Sequence, residues 1–364
     1  MANPTRTALL HWTVVVPIIA VAALALTWGR ALPIAAVVVV ALLLAGAVLA
    51  AVHHAEVVAH RVGEPFGSLV LAVAVTVIEV ALIVTLMADG KPGSETLARD
   101  TVFAAVMITT NGIMGISLLV GALRHRVATF NPEGTGGMFA TVTTITTLSL
   151  VLPTFTTTKP GPEFSPAQLA FAAVASLGLY GLFVAMQTVR HRDYFLPLDE
   201  HGEVLEEHAE PPTAKAAGIS LGLLLVSLVA VVGNAKAVSP AIEAGVEAAG
   251  LPLAVVGVII ALLVLAPETL AAVRAARRGR VQTSINLSLG SAMASIGLTI
   301  PAIAIASIWL SGPLVLGLGP THMVLLALTV VTGTLTIVPG RATLLQGGVH
   351  IGLLAAFLFL AVSP

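Results

Sequence analysis

Cysteine is absent from all 364 residues, so this chain can build no disulfide, thiolate nucleophile or thiolate metal site. Charge is scarce as well. Asp, Glu, Lys and Arg supply 10% of the residues, against about 25% in a soluble globular domain. So few charges cannot cover the surface of a water-solvated protein of this size, which excludes a soluble enzyme. The signs nearly cancel, 17 basic against 18 acidic residues, so there is no electrostatic footprint for nucleic acid. No P-loop or nucleotide-binding pattern is present. What abounds is apolar: 57% of the chain is hydrophobic. The composition is that of an all-α polytopic membrane protein whose principal solvent is the lipid bilayer.

Apolar runs long enough to cross about 30 Å of hydrocarbon fall at 9–28, 31–52, 65–89, 100–122, 136–153, 166–189, 215–233, 250–274, 283–309, 319–337 and 341–362. The first lacks a small-residue cleavage site and reads as a membrane helix, not as a signal peptide. The last two are separated only by Val-Pro-Gly. Eleven helices are expected. With the amino terminus in the cytoplasm, 12 Lys and Arg residues fall on the cytoplasmic side, anchored by Arg274, Arg277, Arg278 and Arg280, and 5 on the other. The positive-inside rule therefore predicts a cytoplasmic amino terminus and an external carboxyl terminus, in a bacterial cell (inner) membrane.

The longest polar stretch, around 190–214, divides six helices from five. Setting the first helix aside leaves five on each side, an odd number that would insert the second half upside down. The expected organisation is an extra helix over 1–30, a five-helix repeat over 31–189, an acidic cytoplasmic loop over 190–214 and an inverted repeat over 215–364.

Two carboxylates interrupt this pattern. Glu79 lies near the middle of the third run, where a charge costs at least about 2.5–3.5 kcal/mol. Glu268 follows Pro267 in the eighth run, where a broken helix with freed carbonyls would suit a cation. The acids occupy the second helix of each five, 189 residues apart. Each precedes a run with small polar residues at membrane depth. Thr109, Thr110 and Asn111 follow Glu79; Asn286, Ser288, Ser291 and Ser295 follow Glu268. Carboxylate, amide, hydroxyl and carbonyl oxygens suit hard cations such as Ca2+, Na+ or K+. Two buried carboxylates can hold one divalent ion, or two protons when it leaves.

The stretches RVGEPFGSLVLAVAVTVIEVALIVTLM, RDTVFAAVMITTNGIMG and LGSAMASIGLTIP resemble the calcium/cation antiporter superfamily, and within it the bacterial ChaA-type calcium/sodium/potassium–proton antiporters. That resemblance implies ten core helices in two inverted repeats and alternating access, with cytosolic cation leaving as protons enter. It implies cation and proton binding by Glu79, Glu268, Asn111, Gly290 and Ser291, to which Thr110 and Ser295, read above at membrane depth, are added as expected ligands. Calcium-selective relatives usually carry Gly-Asn ahead of each acid, where this chain has VTVIE and VLAPE. The glutamine often found after Gly-Ser is missing around Met293 and Ala294. These departures remove amide ligands and open a monovalent-selective Na+(K+)/proton antiporter as the alternative, with a cation channel behind it. No resident cofactor is expected; the partners are transported cations, protons and lipid.

Weaker signals remain. His53, Glu56 and His60 share one helix face, a pattern open to zinc, to simple solvation, or to Glu56 guarding the ion-path entrance. The acidic loop, with Asp193, Asp199, Glu200, Glu203, Glu206, Glu207 and Glu210, reads as a flexible linker or a cation-concentrating surface. The run TVTTITTLSLVLPTFTTT could line water or simply pack. An intramembrane hydrolase is not expected, because no histidine is read at mid-membrane to pair with a serine.

Overall fold

The computed structural model describes residues 11–30, 32–63, 66–88, 90, 93–196, 211–310 and 312–364. Among them the chain forms eleven apolar helices: α1 (Trp12–Thr27), α2 (Ile34–Val62), α3 (Phe66–Met87), α4 (Ser94–His125), α5 (Pro132–Thr154), α6 (Pro166–Arg190), α7 (Ala214–Ala248), α8 (Ala254–Arg277), α9 (Val281–Ala306), α10 (Pro320–Ile337) and α11 (Leu344–Val362). Ten are long and apolar enough to cross a membrane; α1, at 16 residues, is shorter and lies against α2 and α7. Large apolar side chains such as Leu42, Val174, Leu225, Leu335 and Phe359 face outward. A bilayer, not water, solvates them.

Two helices outrun the apolar stretches that announce them. α2 continues past residue 52 to Val62 and stops where Gly63 takes φ +73°. His53, Glu56 and His60 are therefore helical. α7 continues past residue 233 to Ala248, straight through Pro240. Its extension, NAKAVSPAIEAGVEA, is too polar to read as a span, yet its alanines are strong helix formers. Hydrophobic length thus underestimates helix length where good helix formers follow the apolar run. α8 also runs unbroken through Pro267, so the expected break beside Glu268 does not occur. The ring removes one helical donor without ending the helix. α10 and α11 are separate helices, joined by a turn in which Gly340 has φ +66°.

The helix pairs follow an exchange rule. α3 packs on α9 and α8 on α4; α6 packs on α9 and α11 on α4. Two short backbone links obey it too. Ala128–Thr129, between α4 and α5, pairs antiparallel with Arg341–Ala342, between α10 and α11; Glu163, between α5 and α6, bridges Val315, between α9 and α10. Each pair maps onto the other when α2–α6 are exchanged with α7–α11. α6 and α11 even begin alike, with capping boxes Ser165/Gln168 and Thr343/Gln346. The buried core divides in two: one part holds α4, α8, α9 and their neighbours α5, α6, α10 and α11, the other α1–α3 with α7 and α8.

Asp193 lies in a short turn, Arg192–Phe195, at the foot of α6. Asp199, Glu200, Glu203, Glu206, Glu207 and Glu210 lie outside the described residues.

Candidate functional site

The second helix of each half contributes its carboxylate to one cavity. The space measures about 220 Å³ and is walled by α3, α6, α8 and α9. Glu79, Glu268, Gly290, Ser291 and Ser295 all line it, together with Thr76, Tyr180, Gln187, Thr283 and Asn286. Helix geometry explains the α9 wall. Thr283, Asn286, Gly290, Ser291, Ala294 and Ser295 recur every three or four residues, so they form one stripe about 18 Å long.

Depth is consistent across the four walls. On α3 the lining runs from Leu71 to Glu79, on α6 from Gln187 back to Tyr180, and on α8 it holds Leu265 and Glu268. Every one of these stretches lies toward the end of its helix that holds or adjoins an arginine: Arg61 ahead of α3, Arg190 at the end of α6, and Arg274, Arg277 and Arg278 at the end of α8, with Arg280 ahead of α9. The cavity therefore reaches from the arginine-bearing face to the middle of the molecule. Beyond Ser295 it is shut by a close contact between α6 and α9. A Cβ placed on Gly297 would lie 2.7 Å from the Cβ of Tyr180, so only glycine admits this approach.

The two acids differ in their surroundings. Glu79 is buried, and the Ser295 hydroxyl stands 2.8 Å from both of its carboxyl oxygens. Glu268 is half-buried, and its Oε2 is buried without any hydrogen-bond partner. Thr299, one turn beyond Ser295, has a buried hydroxyl in the same condition. An unpaired buried carboxyl oxygen costs about 1–3 kcal/mol, and a bound cation would offset that cost. Glu79 is the other carboxylate that lines the same space. The arrangement offers oxygen donors only, facing a space open at one end.

Not every expected ligand is brought here. Asn111 and Thr110 do not line the cavity. The α4 backbone over Ile108–Ile113 is a π-helix, whose wider turn points Asn111 toward α10 and α11. There its amide nitrogen donates to Thr329 Oγ1 at 2.9 Å, and its carbonyl oxygen accepts from His350 Nδ1 at 3.0 Å. The Thr109 hydroxyl is occupied by the Ala105 carbonyl at 2.8 Å. Glu56 is exposed on α2, outside the lining, with His53, His60 and Arg274 as its charged neighbours. Among the described residues no group of three His, Asp or Glu side chains could hold a metal, so His53, Glu56 and His60 do not make a zinc site. His53 instead stacks on His11. The α5 threonines do not line the cavity; Thr141, Thr144 and Thr146 each return their hydroxyl to the carbonyl four residues back.

Sequence reading overlooks Thr76, Tyr180, Gln187 and Thr283. Thr76 had a signal, since it stands three residues before Glu79 and shares its helical face. Tyr180 had none, because only the meeting of α6 with α9 places it. Sequence reading also overlooks His350, fully buried in α11, whose partners are Asn111 and Thr336 and not a serine.

Residues 32–189 and 219–363 match the sodium/calcium exchanger protein family model. The chain is 46% identical over 356 residues to y4hA of Sinorhizobium fredii, covering 97% of this chain and 96% of that protein. It is 32% identical over 351 residues to the sodium-potassium/proton antiporter ChaA of Escherichia coli, covering 95% and 94%. The fold is that of the crystal structure of the H+/Ca2+ exchanger CAX, with TM-score 0.72, 15% identity, and 97% and 88% of the two chains covered.

Proposed function

This chain belongs to the sodium/calcium exchanger protein family, a group of secondary cation transporters within the calcium/cation antiporter superfamily, and from that premise we propose that it is a cation/proton antiporter. It exports cytosolic Ca2+, and Na+ and K+ as well, in exchange for protons, and Glu79 and Glu268 are the groups that hold cation or protons in turn. The observation that carries this reading is the convergence of the two acids on one dead-ended cavity, where Glu268 Oε2 is buried without a partner. Ser295, Ser291 and Gly290 complete the site; Gly290 contributes by leaving room, since nothing stands within 4 Å of where its Cβ would be.

We read the two halves as inverted repeats, supported by the exchange pattern of their helix pairs. With the arginine-bearing face in the cytoplasm of a bacterial cell, the cavity is open inward. A cytosolic cation enters along the α9 stripe, meets the protonated carboxylates and takes the place of their protons, which leave inward. The loaded site then opens outward, where protons at higher activity replace the cation. Coupling follows from competition, because carboxylates that hold a proton cannot hold the cation with full charge. Glu56, exposed on α2 outside the lining, is the carboxylate that this reading assigns to the entrance of the path.

Selectivity confined to Na+ and K+ is the second reading. One observation favours it: Thr76 and Leu265, three residues ahead of the two acids, both face the cavity where an amide would supply an oxygen. The 32% identity to a sodium-potassium/proton antiporter points the same way. Everted vesicles with a respiration-driven proton gradient, reported by a quenched dye, test both. Dequenching by Ca2+, Na+ and K+ supports broad exchange, dequenching by Na+ and K+ alone supports the second reading, and no response to any ion overturns the antiporter assignment.

A further inference from the structure

The cluster around Asn111 lies apart from the lining of the two-carboxylate cavity, and each of its side-chain oxygens is already engaged in a hydrogen bond. Asn111, His350, Thr329 and Thr336 are all buried. The Asn111 carbonyl oxygen can only accept, so the His350 nitrogen 3.0 Å away, Nδ1, carries the proton. His350 Nε2 is then the acceptor for the Thr336 hydroxyl at 3.2 Å. The Asn111 amide nitrogen donates to Thr329 Oγ1 at 2.9 Å and to Thr110 Oγ1 at 3.3 Å. Both threonines pass their own protons to carbonyls of the preceding turn, Leu325 and Val106. Each donor has an acceptor, and the Asn111 oxygen faces His350.

We propose that Asn111 is not a cation ligand in this chain but the hub of a hydrogen-bonded pin that clamps the π segment of α4 to the α10–α11 hairpin, with His350 as its positioning residue. Three further contacts give the pin a line to the transport site. α11 approaches α4 so closely that a Cβ on Gly115 would stand 2.9 Å from the Cβ of His350. On its other side the π segment holds α9, because the Thr109 carbonyl, which already takes the π-type bond from Met114, also accepts the Ser288 hydroxyl at 2.6 Å. Ser288 sits one turn from Ser291, two turns from Ser295. α4 is also the surface on which α8 lies: a Cβ on Gly257 would meet the Thr101 nitrogen at 3.0 Å. A fixed α4 thus holds the α9 wall and seats the helix that carries Glu268. This inference rests on the antiporter reading for its transport readout.

The test compares Asn111→Ala, His350→Ala, the double variant and His350→Gln. The Gln amide can still donate to Asn111 and accept from Thr336. Cation-dependent exchange in proteoliposomes should lose about tenfold in maximal rate with either alanine. The half-saturating cation concentration should stay within twofold, the double variant should be no worse than the single ones, and His350→Gln should recover most of the rate. A tenfold rise in half-saturating concentration for Asn111→Ala, with His350→Ala unchanged, would make Asn111 a ligand and overturn the pin. Wild-type rates in all four variants would overturn it equally. Thermal unfolding of the same four proteins, measured without transport, must show coupled and not additive losses. That readout stands if the wild type proves not to exchange, and it replaces the rates if an alanine variant is too unstable to reconstitute.

Discussion

Replacing Glu268 with methionine should abolish exchange and at the same time stabilise the protein. The two effects have separate physical origins. A monovalent cation about 4 Å from one carboxylate gains about 4 kcal/mol at an effective dielectric near 20. Losing that term weakens binding by about a thousandfold, and for a divalent ion the lost energy doubles. Without a cation, however, Glu268 Oε2 is buried with no partner. An apolar side chain of similar shape removes an unsatisfied oxygen whose burial costs about 1–3 kcal/mol. Glu79 predicts the opposite sign. Its carboxylate accepts from Ser295, so Glu79→Met strands that hydroxyl and should destabilise by about 1–3 kcal/mol while also ending exchange. Vesicle dequenching reads the first effect, and thermal unfolding of the detergent-purified proteins without added cation reads the second. Exchange at wild-type rate in Glu268→Met, or a lower melting temperature for it than for Glu79→Met, would refute this reasoning.

Other consequences are as direct. Gly290→Leu should block exchange yet cost no stability, because its Cβ enters empty space and leaving glycine favours a helix by up to about 1 kcal/mol; unhindered exchange would show the cavity is not the path. Because the chain has no cysteine, Asn286→Cys and Ala294→Cys are clean probes. A membrane-impermeant thiol reagent should label them in everted but not right-side-out vesicles, and the reverse pattern would invert the proposed orientation. The half-saturating cation concentration should rise as cytoplasmic pH falls, since the ligands must lose protons to bind; a pH-independent value would exclude shared carboxylates. Deleting residues 199–210 should shift apparent affinity or regulation and leave coupled exchange, so complete loss of coupling would contradict a linker role.

The membrane class and the helix count were legible because hydrocarbon thickness imposes a length on every apolar run, and even the short turn between α10 and α11 was correctly placed. The ends of α2 and α7 were not, because alanine-rich polar sequence continues a helix without continuing hydrophobicity. Glu79 and Glu268 stood out individually through the cost of charge in lipid. That they share a cavity depends on α3 and α8 meeting across α9, which no local pattern encodes. Asn111 shows why a plain 3.6-residue periodicity misplaces a side chain: one π turn redirects it from the acids toward His350. His350 carries no local signal, since its partners lie on α4 and α10, more than ten residues away in sequence at the nearest.

The central claim, that cation and protons compete for Glu79 and Glu268, is tested most directly by proton release from purified protein in weakly buffered detergent solution. Adding Ca2+, Na+ or K+ to the wild type should acidify the medium in a saturable way, and the Glu79→Gln/Glu268→Gln double variant should release nothing. Cation binding without proton release, or equal release from the double variant, would contradict the account.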